Sequence, residues 1–106
     1  MAWIVLVLAG LLEIVWSVAM KQSIGFTRLV PSAISIAAMI GSVVFLSLAM
    51  RVLPLGTAYT VWTGIGAVGA FAVGIVFLGE DTNALRLAAA ALILSGLVLM
   101  KFASAD

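Results

Sequence analysis

The sequence predicts an all-α membrane protein of four transmembrane helices, and three observations predict it. The chain of 106 residues is 66% hydrophobic and 8% charged, more apolar surface than a soluble domain of this size can bury. Four apolar runs follow one another, each near the roughly 20 residues that a helix needs to cross about 30 Å of hydrocarbon. The connections between them are short and marked by charge, glycine or proline, and no residues remain for a soluble domain.

The first span is expected over residues 3–20. It lacks a basic stretch in front, carries an acid and precedes further spans, so it is expected to be retained rather than cleaved as a signal peptide. Lys21 closes it, and Gly25 suits the left-handed position past a helix end. Phe26, Thr27 and Arg28 make a short loop, and Pro31 fits the first turn of a second span over residues 30–50. Arg51 ends that span, and Pro54 and Gly56 mark a tight turn before a third span over residues 57–78. Gly79, Glu80 and Asp81 begin the next loop, with Thr82 or Asn83 available to cap a fourth span over residues 84–102. Residues 1–106 read as a single four-helix transmembrane domain with antiparallel neighbours.

Glu13 organises the rest. It lies inside the first span with apolar runs on both sides and no basic residue near it in the chain. A carboxylate at that depth costs about 2.5–3.5 kcal/mol on insertion scales. Such a residue is expected to face a partner, a cavity or a ligand, and its default reading is a site that trades a proton for something positively charged. The other acids, Glu80, Asp81 and Asp106, fall at loops and ends. With no cysteine and no histidine, thiolate and imidazole chemistry are excluded, and no metal or cofactor is expected. No nucleophile–base pair is present, so the chain is not expected to be an enzyme, and a net charge of +1 gives no reason to expect nucleic acid.

Residues three and four apart share a helix face. Around Glu13 that face includes Gly10, which leaves room, and Trp16, whose indole N–H can donate to the carboxylate and whose ring can lie against a planar cation. Trp3 sits at the membrane edge and reads as an anchor. The polar residues of the second span are Ser35, Ser42 and Ser47. Ser42 falls about level with Glu13; it either donates to the carboxylate or bonds its own backbone four residues back.

In the third span Tyr59, Trp62, Thr63 and Gly66 form one stripe, which suits a cation pocket of aromatic rings with polar tips. Gly64, Gly66 and Gly69 match the spacing of a dinucleotide-binding fingerprint, but that motif needs a preceding strand, and an apolar span offers none. These glycines are read as sites of close helix approach and bending. In the fourth span Ala89 and Gly96 lie a heptad apart on an alanine-rich helix with no mid-membrane charge, which reads as a packing surface between subunits.

An even number of spans puts both termini on one side. Arg51 and Lys101 fall on that side, and Lys21, Arg28 and Arg86 on the other. This near balance gives the positive-inside rule nothing to act on, so insertion in both orientations is expected. Two oppositely oriented copies can pair as an antiparallel, dual-topology homodimer. Such a pair encloses the cavity that four thin helices cannot, and it mimics the inverted repeats of larger transporters.

Taken together, Glu13, the run Gly25-Phe26-Thr27-Arg28 with Pro31-Ser32, and the run from Pro54 through Gly56-Thr57-Ala58-Tyr59 and Trp62 to Gly64 and Gly66 resemble the small multidrug resistance family along the whole chain. The resemblance implies a multi-pass protein of the bacterial inner membrane that works as an antiparallel homodimer and exchanges protons for cations. It also implies that Glu13 holds both proton and substrate, with Tyr59 and Trp62 lining the pocket. Trp16, Met39 and Trp62-Thr63-Gly64-Ile65-Gly66-Ala67 resemble the guanidinium-exporting branch more closely. There, residues matching Gly10, Trp16, Ser42, Tyr59 and Trp62 surround or orient the glutamates.

The function so implied is proton-coupled export of guanidinium and small substituted guanidinium ions, with proton and cation competing for two Glu13 carboxylates that titrate as a coupled pair. The alternative in the same family is a polyspecific exporter of quaternary ammonium and aromatic cations. An energy-coupling rotor subunit also carries one mid-membrane acid, but four spans and a cation-friendly aromatic stripe count against it. A helper subunit of a heteromeric pair is expected to show a fixed charge bias, which this chain lacks.

Overall fold

The computed structural model describes residues 1–103; Asp106, the last of the acids noted above, and its two predecessors lie outside the described residues. Four helices follow in order: α1 (Ala2–Gln22), α2 (Leu29–Ala49), α3 (Leu55–Val76) and α4 (Ala84–Ala103). Each is long and apolar enough to cross a membrane. Large apolar side chains such as Ile4, Leu29, Ile40, Leu92 and Phe102 lie exposed along them, as a lipid environment permits and water does not.

The connections follow the chain's local chemistry. Pro31 sits in the first turn of α2. Between α1 and α2 the backbone takes three left-handed residues in succession, Ile24 (φ 51°), Gly25 (φ 70°) and Phe26 (φ 64°). Ser23, fully buried, holds this loop: its hydroxyl donates to the Met20 carbonyl at 2.7 Å and accepts the Phe26 N–H at 2.9 Å. Helix α3 begins at Leu55, so Gly56 lies inside it rather than in the expected turn. Pro54 explains the shift: extended at φ −60° and ψ 150°, it stands at the N-cap and leaves the next residue free to start the helix. Asn83 caps α4, its Oδ1 accepting the Arg86 N–H at 2.9 Å.

The helices lie side by side in the order α2, α1, α3, α4. The slab they form is 43 × 34 × 16 Å, little thicker than one helix of about 10–12 Å. Helices α1 and α2 run antiparallel, tied by two serine bonds: Ser42 Oγ donates to the Ala9 carbonyl at 2.7 Å, and Ser35 Oγ to the Trp16 carbonyl at 2.9 Å. Both partners step by seven residues, so one register satisfies both bonds. Helices α1 and α3 run parallel and approach closely through glycine: Gly10 faces Ile65, and Gly69 faces Ile14. The buried core of Leu6, Ala9, Leu46, Ala49, Leu53, Ala58 and Val61 sits at the end where α1 begins. Toward the end where α1 finishes the helices part, and cavities open on both sides of α1. None of the described residues of α4 is buried; it packs along α3, and near its end the Lys101 ammonium lies 4.8 Å from the centre of the Trp3 ring.

Candidate functional site

Glu13 is placed by α1 against α3, where the absence of a side chain on Gly66 makes room for its carboxylate. A Cβ on Gly66 would overlap that carboxylate, with the carboxyl carbon only 2.5 Å away. Glu13 is partly buried, and its Oε2 is shut away with no hydrogen-bond partner among the described residues. The Trp16 Nε1 one turn on is also buried and unpartnered. Expected to meet, these two do not bond each other. One acceptor and one donor thus stand unsatisfied in apolar surroundings, where each lost hydrogen bond costs on the order of 1–3 kcal/mol.

Ser42 does not donate to Glu13, nor does it bond its own helix. Its single proton goes to the Ala9 carbonyl, and its oxygen accepts the Trp62 indole N–H at 2.9 Å. In an α-helix the Ala9 carbonyl is also the acceptor of the Glu13 backbone N–H. Ser42 therefore grips the turn that carries Glu13 without touching the carboxylate. Trp62 in turn lies against Tyr59, ring centres 5.5 Å apart and planes tilted by 48°. Gly10 does not open space beside the carboxylate; Ile65 of α3 fills it, 2.6 Å from where a Cβ would stand.

The remaining expected residues spread out. Thr63 and half-exposed Tyr59 face a cavity of about 520 Å³ between α3 and α4 that also reaches Gly96. Gly64 lies against Leu97 of α4, and α3 continues unbroken through Gly64, Gly66 and Gly69. Ala89 and Gly96 are exposed on α4, with nothing within 4 Å of the Cβ position at Gly96. Met39 is partly buried on α2. Sequence reasoning noted Ser35 but gave it no task; its signal was the matching heptad step of Ser35 and Ser42 opposite Trp16 and Ala9.

Four helices long and apolar enough to cross a membrane, the first carrying a carboxylate oxygen shut away without a partner among the described residues, define a multi-pass membrane protein built to handle a charge. The family model for the small multidrug resistance protein matches residues 1–93, and the chain belongs to that family. Relatives in Escherichia coli strain K12, Shigella flexneri and Salmonella typhimurium, each named a guanidinium exporter, are 57% identical over 104 residues, covering 98% of this chain and 99% of theirs. They match the branch that the sequence itself resembles. The protein is a multi-pass transport protein of the bacterial inner membrane.

Proposed function

We propose that two copies of this chain, oppositely oriented, form a homodimer that exports guanidinium and small substituted guanidinium ions in exchange for protons. The observation that carries this reading is the buried Glu13 oxygen with no partner. An ionised carboxylate in hydrocarbon is costly unless something neutralises it, and a proton or an organic cation can do so. Guanidinium is planar and offers paired N–H donors that fit a carboxylate bidentately. The relatives' activity supports that choice of cation. A slab 16 Å thick cannot enclose a solvated site alone, which supports a second copy. The unsatisfied Trp16 N–H then has an acceptor in the second copy's Glu13.

In this reading Tyr59 and Trp62 line the pocket, Ser42 fixes Trp62 and the Glu13 turn, and Gly10 and Gly66 set the distance between α1 and α3. Gly64 and Gly69 lend α3 its weak point, Thr63 and Met39 border the pocket, and Ala89 and Gly96 pack between subunits. Protons arriving from outside neutralise the glutamate pair and displace the cation, while a cation arriving from the cytoplasm expels protons. The test is proton-coupled guanidinium transport in proteoliposomes. The wild type is expected to move guanidinium against protons and Glu13→Gln to do neither; guanidinium uptake retained by Glu13→Gln would contradict the proposal.

A further inference from the structure

A cavity with two charged residues in an otherwise mostly apolar wall lies beyond Glu13. Between α1 and α3, a space of about 340 Å³ is lined by Ser17 and Lys21 on one side, Ala70 and Gly74 on the other, and Glu80 from the α3–α4 connection. Glu13, Ser17 and Lys21 recur every four residues on one face of α1; Ser17 and Lys21, about 6 Å apart along the axis, line the cavity, which stops one turn short of Glu13. Gly66, Ala70 and Gly74 keep the same interval on α3. Each of the two glycines faces a carboxylate: Gly66 that of Glu13, and Gly74 that of Glu80, whose Oε1 lies 2.5 Å from the Cβ position. The fold-back is built by the backbone, with Gly79 at φ 69° and the Glu80 N–H donating to the Gly74 carbonyl at 3.0 Å.

The charges at this mouth are mixed, and Glu80 is the one in the cavity wall that draws a cation. Helices α1 and α3 end there with about half a negative charge each, while α2 and α4 begin at the same end with the opposite sign, so the helix dipoles largely offset one another. The Glu80 carboxylate makes no hydrogen bond or ion pair among the described residues. Nearby Arg86 is turned to the Asp81 carbonyl at 3.2 Å, and Lys21 stands across the cavity without pairing to Glu80.

We infer that this cavity is the aqueous approach to Glu13 and that Glu80 is the portal residue that gathers the cation there, opposed by Lys21. The inference rests on the cation-for-proton exchange proposed above and adds the route by which the cation arrives. Glu80 acts on capture, not on the exchange itself, so its signature is a change in KM that salt can erase.

The test uses the full-length protein in proteoliposomes with guanidinium as the probe. Glu80→Gln is expected to raise KM roughly threefold to tenfold at low ionic strength, to leave the maximal rate within about twofold, and to lose most of that difference near about 0.5 M salt. Gly74→Ala drives the carboxylate out of the cavity without removing its charge. It is expected to raise KM in the same direction and to add little in the double variant. Lys21→Gln is expected to lower KM, and it reads the same field should Glu80→Gln fail to insert. Unchanged KM and salt dependence in Glu80→Gln and Lys21→Gln overturns the inference, as does a fall in maximal rate alone, which marks a structural role. A wild type that carries no guanidinium instead overturns the exchange function, so the two failures are told apart.

Discussion

The Trp62 indole donates to Ser42 Oγ at 2.9 Å while Ser42 Oγ donates to the Ala9 carbonyl at 2.7 Å, so a single hydroxyl joins three helices. Ser42→Ala removes both bonds and strands the indole N–H. It is expected to destabilise the fold by about 1–2 kcal/mol, the upper range for such bonds in membranes. Trp62→Phe added to Ser42→Ala should cost little more, because the shared partner is already gone. Unfolding of the three variants in bicelles measures the coupling.

Gly66→Ala places a methyl group where the Glu13 carboxylate now lies. Transport is expected to fall on the order of tenfold or more, since displacement of a reacting group by about an ångström has large consequences. Gly56→Ala is the control, because nothing lies within 4 Å of its Cβ position. Its transport should equal that of the wild type, and its helix should gain up to about 1 kcal/mol. Equal transport by both variants would remove Gly66 from the site.

Ile24 carries a β-branched side chain at φ 51°, a conformation that costs an L-residue about 1–2 kcal/mol. Ile24→Gly relieves that strain and gives back part of it as unfolded-chain entropy. A net gain of about 0.5–1 kcal/mol is expected in thermal unfolding, with Gly25→Ala shifting stability the other way. If Ile24→Gly is destabilising, this loop is not strained in the membrane.

The proposed dual topology has a direct readout. The chain has no cysteine, so one introduced at exposed Gln22 is the only thiol present. Membrane-impermeant maleimide applied to sealed, oriented vesicles should label about half of the Gln22→Cys chains from each side, as balanced flanking charge implies. Labelling from one side alone excludes the antiparallel pair.

Much of this was legible before any coordinates. Apolar run length placed the helices, Gly25 marked a loop through its backbone freedom, Thr82 and Asn83 marked a cap that the Asn83 side chain supplies, and Glu13 stood out because no solvent at that depth can hold its charge. What stayed hidden was rotation. Soluble helices betray their inward face by alternating polar and apolar sides; here nearly every side is apolar, so spacing could say that Gly10 and Ser42 lay near Glu13 but not what each would touch. Gly10 meets Ile65, and Ser42 meets Ala9 and Trp62. Both partners are set by how α1 turns against its neighbours, a choice made by packing between helices. The start of α3 was misplaced for a local reason: a proline that looks like a turn also serves as the residue just ahead of a helix.

The paired bonds from Ser35 and Ser42 fasten α1 to α2 at two points a heptad apart, and two points on parallel rods forbid both sliding and twisting. Those two helices behave as a plank. Helix α3 is held to the plank at one end, by the Trp62 bond and by Ala58 and Val61 in the buried core, and beyond that meets it across Gly66 and Gly69. Motion that spares these bonds is expected to be a swing of α3 about its Trp62 end, like a gate on a single hinge, carrying the Gly74 end farthest.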